Sequence, residues 1–200
     1  MEILLLGRSN VGKSSVIRKL TGKRVPVGKR PGVTRRPLRL ELGELEIIDM
    51  PGFGYMAGMS REKQETVKTE IVRYVEKNRE NIIFVLEVID ARAFGQIVER
   101  WERRDQVPVD IEMFQFLQEI KLHPIVAVNK IDLIYPEERD TVLDEICEKL
   151  GMPSPWRQWL DTIVPISAKS GEGIKELKKL VKQRFSELGQ ERLQRYIKQS

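Results

Sequence analysis

The chain contains one cysteine, Cys147, and one histidine, His123, among 200 residues. A single thiol excludes an internal disulfide framework and suits a reducing compartment. A single imidazole excludes a histidine-rich metal centre and argues against a histidine-based catalytic triad. Long apolar runs are missing too. The longest, Ile82 to Leu86, falls far short of the ~20 residues that span a bilayer. The opening segment, Met1-Glu2-Ile3-Leu4-Leu5-Leu6-Gly7-Arg8, has neither the positive start nor the apolar length of a secretory signal. These absences lead us to expect a soluble, cytoplasmic protein that does not engage a membrane.

What is present fits one globular domain, since ~100–200 residues make an ordinary domain. With 40% apolar and 32% charged residues, the chain can bury a core without staples. The net charge of +5 is unevenly spread. Residues 1–40 hold eleven Lys/Arg and one acid, and residues 175–200 hold eight Lys/Arg and three acids, leaving the middle at −10. Basic ends of this kind point toward a polyanion partner.

Short apolar runs alternate with segments of helical period. Ile3–Leu6, Leu45–Ile48, Ile82–Ile89, Ile125–Val128 and Ile163–Ile166 read as strands covered on both faces. Between them, sets such as Val67-Ile71-Tyr74-Val75 and Ile174-Leu177-Val181-Phe185-Leu188 read as helices. This alternation implies an α/β fold: a mostly parallel six-stranded sheet with helices on both faces. Leu38–Leu42 and Leu45–Ile48 flank Gly43-Glu44 and form a hairpin, so one edge strand is antiparallel. The domain is expected to span 1–188, with 189–200 a basic tail continuing the last helix. Residues 22–37, 52–60 and 90–108 break the pattern, and the last is read as a charged excursion. In open α/β sheets, ligands bind where such loops leave the carboxyl ends of strands.

Gly7-Arg8-Ser9-Asn10-Val11-Gly12-Lys13-Ser14 matches the phosphate-loop pattern at every fixed position, directly after a strand and before a helix. Its glycines let backbone N–H groups turn toward a phosphate chain, and the helix start adds partial positive charge. Arg8, Ser9, Asn10, Val11, Gly12, Lys13, Ser14 and Ser15 are the expected phosphate-binding run. Lys13 serves the β- and γ-phosphates and the Ser14 hydroxyl ligates Mg²⁺. Asp49-Met50-Pro51-Gly52 ends the third strand. Asp49 is expected to hold Mg²⁺ through water, and the Gly52 N–H to sense the γ-phosphate. Thr34 is the expected second protein ligand of Mg²⁺, with Thr21 a poorer alternative, and Gly32 joins it at the phosphates. The residues expected to act in hydrolysis are Lys13, Asn10, Thr34 and Gly52.

The base is chosen elsewhere. Asn129-Lys130-Ile131-Asp132 follows the strand Ile125–Val128. A carboxylate at Asp132 accepts from guanine N1–H and the 2-amino group, a donor pair that adenine lacks. A buried carboxylate left unpaired costs several kcal/mol, which rejects adenine and with it an ATP-using kinase. Ser167-Ala168-Lys169 follows the last strand and offers the Ala168 N–H to guanine O6. Each motif alone is weak, but both in order downstream of a phosphate loop are strong.

These residues carry, in order, the five motifs of the Ras-like GTPases. Gly7 to Ser15, then Arg30-Pro31-Gly32-Val33-Thr34, then Asp49-Met50-Pro51-Gly52-Phe53-Gly54-Tyr55 resemble the EngB (YihA/YsxC) family in its archaeal form. The resemblance implies a Ras-like, translation-factor-type GTPase that in bacteria assists assembly of the large ribosomal subunit. Its implied partners are GTP and GDP with ribosomal RNA or a pre-ribosomal particle, and it is expected to work as a monomer. The chain departs from the bacterial pattern in lacking an extension before the first strand and in its longer 90–108 segment.

Ras-type enzymes orient water with a glutamine just after D-x-x-G. Phe53 occupies that position and cannot hydrogen-bond water, while Gln64 lies too far along the chain. Slow intrinsic turnover is therefore expected, and a binding module with negligible hydrolysis is the alternative. A GTPase regulating a different RNA-related process is another. In GTPases with the same G-x-x-N-x-G-K-S pattern, the asparagine can hold K⁺ beside the phosphates, which makes Asn10 a candidate potassium ligand. Arg30, Arg35 and Arg36 are weaker candidates for an arginine finger in cis. Cys147 and His123 read as structural. Trp156 and Trp159 read as a cap on the core, with stacking on RNA bases as the alternative. The Lys/Arg-rich stretch Lys23–Arg39 surrounds Thr34, so its grip on phosphate backbones is expected to follow the bound nucleotide.

Overall fold

A computed structural model of the chain describes residues 1–24, 37–53 and 61–199. Six strands form one sheet in the order β2-β3-β1-β4-β5-β6. They are β1 (Glu2–Leu6), β2 (Leu38–Leu42), β3 (Leu45–Asp49), β4 (Ile82–Asp90), β5 (Ile125–Asn129) and β6 (Ile163–Pro165). Every pairing is parallel except β2 with β3, which is the expected hairpin edge.

The helices are α1 (Lys13–Thr21), α2 (Arg61–Asn78), α3 (Phe94–Glu102), α4 (Val109–Glu119), α5 (Arg139–Lys149) and α6 (Ile174–Glu187). Alternation along β1 shows how they are held. Ile3 and Leu5 pack with Val16, Ile17 and Leu20 of α1 and with Leu177, Val181 and Phe185 of α6. Leu4 and Leu6 face the other way, against Ile71 and Val75 of α2 and Met113 and Leu117 of α4. A period-two strand that is apolar on both sides can only be central, which is where β1 lies. Under α3 and α5 a third cluster gathers Phe94, Val98, Leu143, Ile146 and the buried Cys147 around Val126 and Val128. Trp156 is buried in that cluster and Trp159 packs against it.

Two expectations are corrected. The 90–108 segment is not an irregular excursion: it contains α3, whose Phe94, Val98 and Trp101 recur at helical spacing and turn inward. The end of the chain does not prolong α6 either. Leu188 closes the helix, Gly189 takes a left-handed φ of 65°, and a 3₁₀ turn over Glu191–Tyr196 folds back. Leu193 and Ile197 then sink into the α1–α6 cluster, so this segment is part of the core. Glycine tolerates the left-handed backbone, and the reversal puts two apolar side chains out of water.

Because the strands are parallel, β1, β3, β4, β5 and β6 all end at one edge. Leu5 pairs with Asp49, and Asp90 with Asn129, so the loops carrying the expected motifs leave the sheet together. Among the described residues, no helix is long and apolar enough to cross a membrane.

Candidate functional site

The loop from Gly7 to Gly12 bends tightly between β1 and α1. Gly7 sits at φ 139°, and a Cβ there would stand 2.3 Å from the Val88 carbonyl oxygen. Gly12 sits at φ 104°, and a Cβ there would stand 2.3 Å from Asn129 Nδ2. Both positions require glycine, for backbone angle and for space. Asn10, at φ 64°, is exposed on the same loop.

Lys13 is buried, and its Nζ donates to the Gly7 and Arg8 carbonyl oxygens at 3.1 and 3.3 Å. Burial holds its ammonium below the ordinary lysine value, and the charge of Asp49 opposes that shift. Ser14 Oγ donates to Asp49 Oδ2 at 3.0 Å, which joins the helix start to the end of β3. The other Asp49 oxygen, Oδ1, is buried without a hydrogen-bond partner. Burial raises the Asp49 pKa, while Lys13 and the Ser14 hydroxyl pull it down.

This pair meets the requirements of Mg²⁺. The ion takes oxygen ligands and is usually held by one or two carboxylates plus substrate phosphates, not by an all-protein cage. A hydroxyl, a carboxylate and one orphaned carboxylate oxygen suit that role, and no cluster of three His, Cys, Asp or Glu competes among the described residues. Gly52 is pressed against the phosphate loop, since a Cβ on it would stand 2.6 Å from Ser9 Oγ. The Ser9 N–H donates to the Phe53 carbonyl at 3.4 Å. The Phe53 side chain is buried with Met50, Ile71 and Val75 and faces the core. Gly32, Thr34, Arg30, Arg35 and Arg36 lie outside the described residues.

Asn129 ties three loops together. Its Nδ2 donates to the Val11 carbonyl at 2.7 Å and its Oδ1 accepts the Ala168 N–H at 2.9 Å. The Ala168 amide is thus committed to Asn129, and a single proton given to that oxygen competes with the expected donation to guanine O6. Ser167 is buried, and its Oγ accepts the Ser170 N–H. Lys169 is exposed beside it. Lys130 has a left-handed φ of 66°, and its Nζ donates to Asp90 Oδ2 at 2.5 Å. Asp132 lies in the middle of a 3₁₀ turn over Ile131–Leu133, half-buried and with no partner for its carboxylate among the described residues.

One site residue is placed otherwise than its motif suggests. The Arg8 side chain points away from the loop and pairs with buried Asp110 of α4 at 2.6 Å, with its guanidinium over the Trp101 ring. Arg8 therefore contributes backbone to the loop while its charge is held in the core. Glu87 of β4 is fully buried near Asp110, with both oxygens unpartnered and its pKa well above the ordinary value through burial and then the Asp110 charge. Asp90, Asp110 and Glu87 are absent from the expectations drawn on sequence. For Asp90 a signal exists, a carboxylate ending a central strand at the ligand edge.

A glycine-rich phosphate loop, a hydroxyl–carboxylate pair and an Asn-Lys-x-Asp loop on one edge of this sheet define a P-loop GTPase. Residues 2–130 match the family described as 50S ribosome-binding GTPase. The chain is 54% identical to a protein described as probable GTP-binding protein EngB from Methanopyrus kandleri, over 98% of each chain. It is 50% identical to the protein of the same description from Methanosarcina barkeri, over 98% of this chain and 93% of that one. The crystal structure of a probable GTP-binding protein engB superposes with a TM-score of 0.84 at 44% identity, covering 94% of this chain and all of that one. The FeoB G-domain from Methanococcus jannaschii superposes with a TM-score of 0.55 at 25% identity, over 92% of this chain and 97% of that one. The chain belongs to the EngB family of GTP-binding proteins.

Proposed function

We propose that this protein is a Mg²⁺-dependent molecular switch that hydrolyses GTP slowly and serves assembly of the large ribosomal subunit as a monomer in the cytoplasm. The observation that carries the nucleotide part is the Asn129 clasp, because one side chain fixes the phosphate loop through Val11 and the base loop through Ala168. The ribosomal part is supported by the description of the matching family and by the basic ends of the chain.

Backbone N–H groups of residues 8–15 and the start of α1 hold the phosphates, and the buried Lys13 ammonium meets the β- and γ-oxygens. Burial costs that ammonium solvation, so an anionic phosphate is a strong replacement partner. Ser14 and Asp49, with Thr34, would hold Mg²⁺, and the ion would supply positive charge against the phosphates. Asp132 reads the guanine N1–H and 2-amino group, and selection against adenine rests on it. Gly52 lies against Ser9, so a γ-phosphate in the loop meets its N–H.

The residue at the glutamine position cannot orient water, because Phe53 stands there and is turned into the core. Turnover therefore depends on added charge. Asn10 is the candidate ligand for K⁺, an ion that would supply the charge an arginine finger brings elsewhere.

Single-turnover hydrolysis in potassium and in sodium salts, with and without purified large ribosomal subunits, tests this reading. Hydrolysis that rises with subunits supports the switch, and equal rates in the two salts remove potassium from it. A rate equal to that of GTP alone in every condition overturns the enzyme and leaves a binding module.

A further inference from the structure

Several surface cations of this protein have a carboxylate partner. Lys68 pairs with Glu112, Arg139 with Glu172, Lys149 with Glu102, and Arg192 and Arg195 with Glu44. A group of four lysines does not. Lys19 lies in the last turn of α1, Lys178 and Lys182 sit one turn apart on the same face of α6, and Lys198 lies in the returning C-terminal segment. None of these four side chains forms an ion pair among the described residues. The group is built on fixed parts. The Lys198 N–H donates to the Leu20 carbonyl at 2.7 Å, and its Cδ lies 3.3 Å from where a Gly22 Cβ would stand. The Lys182 carbonyl accepts from Gln194 Nε2 at 3.1 Å, and Leu193 and Ile197 anchor the same segment in the core. Lys178 is buried along its stem, and the charges of Lys198, Lys182 and Lys19 all bear on it.

We propose that Lys19, Lys178, Lys182 and Lys198 form a docking surface for the phosphate backbone of RNA, one that works whichever nucleotide is bound. The proposal rests on the reading that RNA is the partner. It separates this surface from the Lys/Arg-rich segment around Thr34, whose grip is tied to the γ-phosphate. Like charges one helical turn apart oppose each other, and a string of phosphates relieves that repulsion while releasing counterions. Four ammoniums spread over three segments suit an extended polyanion better than one small anion. A lipid surface is the poorer match. The apolar residues of α6, Ile174, Leu177, Leu180, Val181 and Phe185, are buried in the core, so the lysine-bearing helix offers no apolar face of its own to a bilayer. The surface is made of α1, α6 and a segment anchored in the core by Leu193 and Ile197, elements held by apolar packing and not by a bound nucleotide, so its affinity is constant across states.

The test measures binding of a fluorescein-labelled RNA duplex to the full chain, loaded with GDP or with a non-hydrolysable GTP analogue, across a salt series. The variant is Lys19→Gln/Lys182→Gln/Lys198→Gln, with Lys182→Gln/Lys198→Gln as a milder second and Lys121→Gln as a control outside the cluster. The triple variant is expected to bind about tenfold more weakly or worse in both nucleotide states, with the salt slope reduced by about 0.7–0.9 for each ammonium removed from the phosphates. Affinity for a fluorescent GDP is expected to be unchanged. Undiminished RNA binding by the folded variants overturns the surface but not the RNA reading. Absence of RNA binding by the unaltered protein overturns both. Loss of binding to phosphatidylserine vesicles without loss of RNA binding overturns the choice of partner.

Discussion

The Arg8 guanidinium and the Asp110 carboxylate meet at 2.6 Å inside the protein, although 102 residues separate them in the chain. Arg8 is the second residue of the phosphate loop and Asp110 lies in the first turn of α4. The pair therefore ties the nucleotide site to a helix on the face of the sheet opposite α1. Removing one member of a buried pair strands the other charge and costs ~3–5 kcal/mol. Asp110→Asn is expected to lower stability to urea by an amount in that range and to weaken GDP binding. Replacing both residues, Arg8→Met/Asp110→Leu, is expected to recover much of the stability without recovering the affinity. If Asp110→Asn changes neither, the pair is not a support of the loop.

Glu87 sets a pH dependence. Its carboxyl is buried, and its folded pKa stands well above the ordinary value of 4.5. The folded state thus keeps a proton that the unfolded state releases. The stability this gives is complete below the ordinary carboxylate range and declines as pH rises toward the folded value. Glu87→Gln keeps the shape and removes the ionisation. Melting temperatures measured from about pH 4 to 8 should fall with pH more steeply in the unaltered protein than in the variant. Parallel curves would show that Glu87 does not titrate in this way.

Gly12 and Asn129 share one space. Gly12→Ala places a methyl 2.3 Å from Asn129 Nδ2 on a backbone with φ 104°. The clasp to Val11 and Ala168 must open, and affinity for GDP is expected to drop at least about tenfold, equal to ~1.4 kcal/mol and within the cost of one buried unsatisfied polar group. Asn129→Ala should lose a similar amount, and the double variant little more than either alone. Additive losses in the double variant would mean that the two residues act separately.

Cys147 is expected to be inert. It is fully buried on the inner face of α5, and burial pushes its thiol up to about 11. At neutral pH almost no thiolate forms, and reagents cannot reach it. Labelling by a disulfide-exchange reagent should be negligible in the folded protein and complete in guanidinium. Fast labelling without denaturant would contradict this packing.

Local features are legible in the sequence, and long-range ones are not. All six strands can be read, because runs such as Ile3–Leu6 and Ile125–Val128 are apolar on both faces and bounded by turn residues. Gly7–Ser14 and Asn129–Asp132 can be read because their chemistry needs fixed spacing. Helix α3 hides: Phe94, Val98 and Trp101 keep the helical period, but Glu99, Arg100 and Glu102 make the segment look like a charged loop. The fold-back after α6 has a signal in Gly189, outweighed by a basic helical spacing that runs on past it. The Arg8–Asp110 pair and the Asn129 hydrogen bond to Ala168 have no local signal. A motif fixes which backbone binds, while the direction of a variable side chain within it depends on what the tertiary fold brings near.

The central claim is that the edge holding Lys13, Asp49 and Asp132 selects guanine nucleotides, and the choice of base isolates it most directly. Affinities of the unaltered protein and of Asp132→Asn for GDP, xanthosine diphosphate and ADP, measured by calorimetric titration with Mg²⁺, are the decisive set. A site that rejects a base by leaving a buried polar group unpaired discriminates by a factor of ~10⁴–10⁵. The unaltered protein is expected to bind GDP and to ignore ADP, while Asp132→Asn prefers the xanthosine nucleotide and loses GDP. Unchanged GDP affinity in Asp132→Asn, or tight ADP binding by the unaltered protein, would contradict the account.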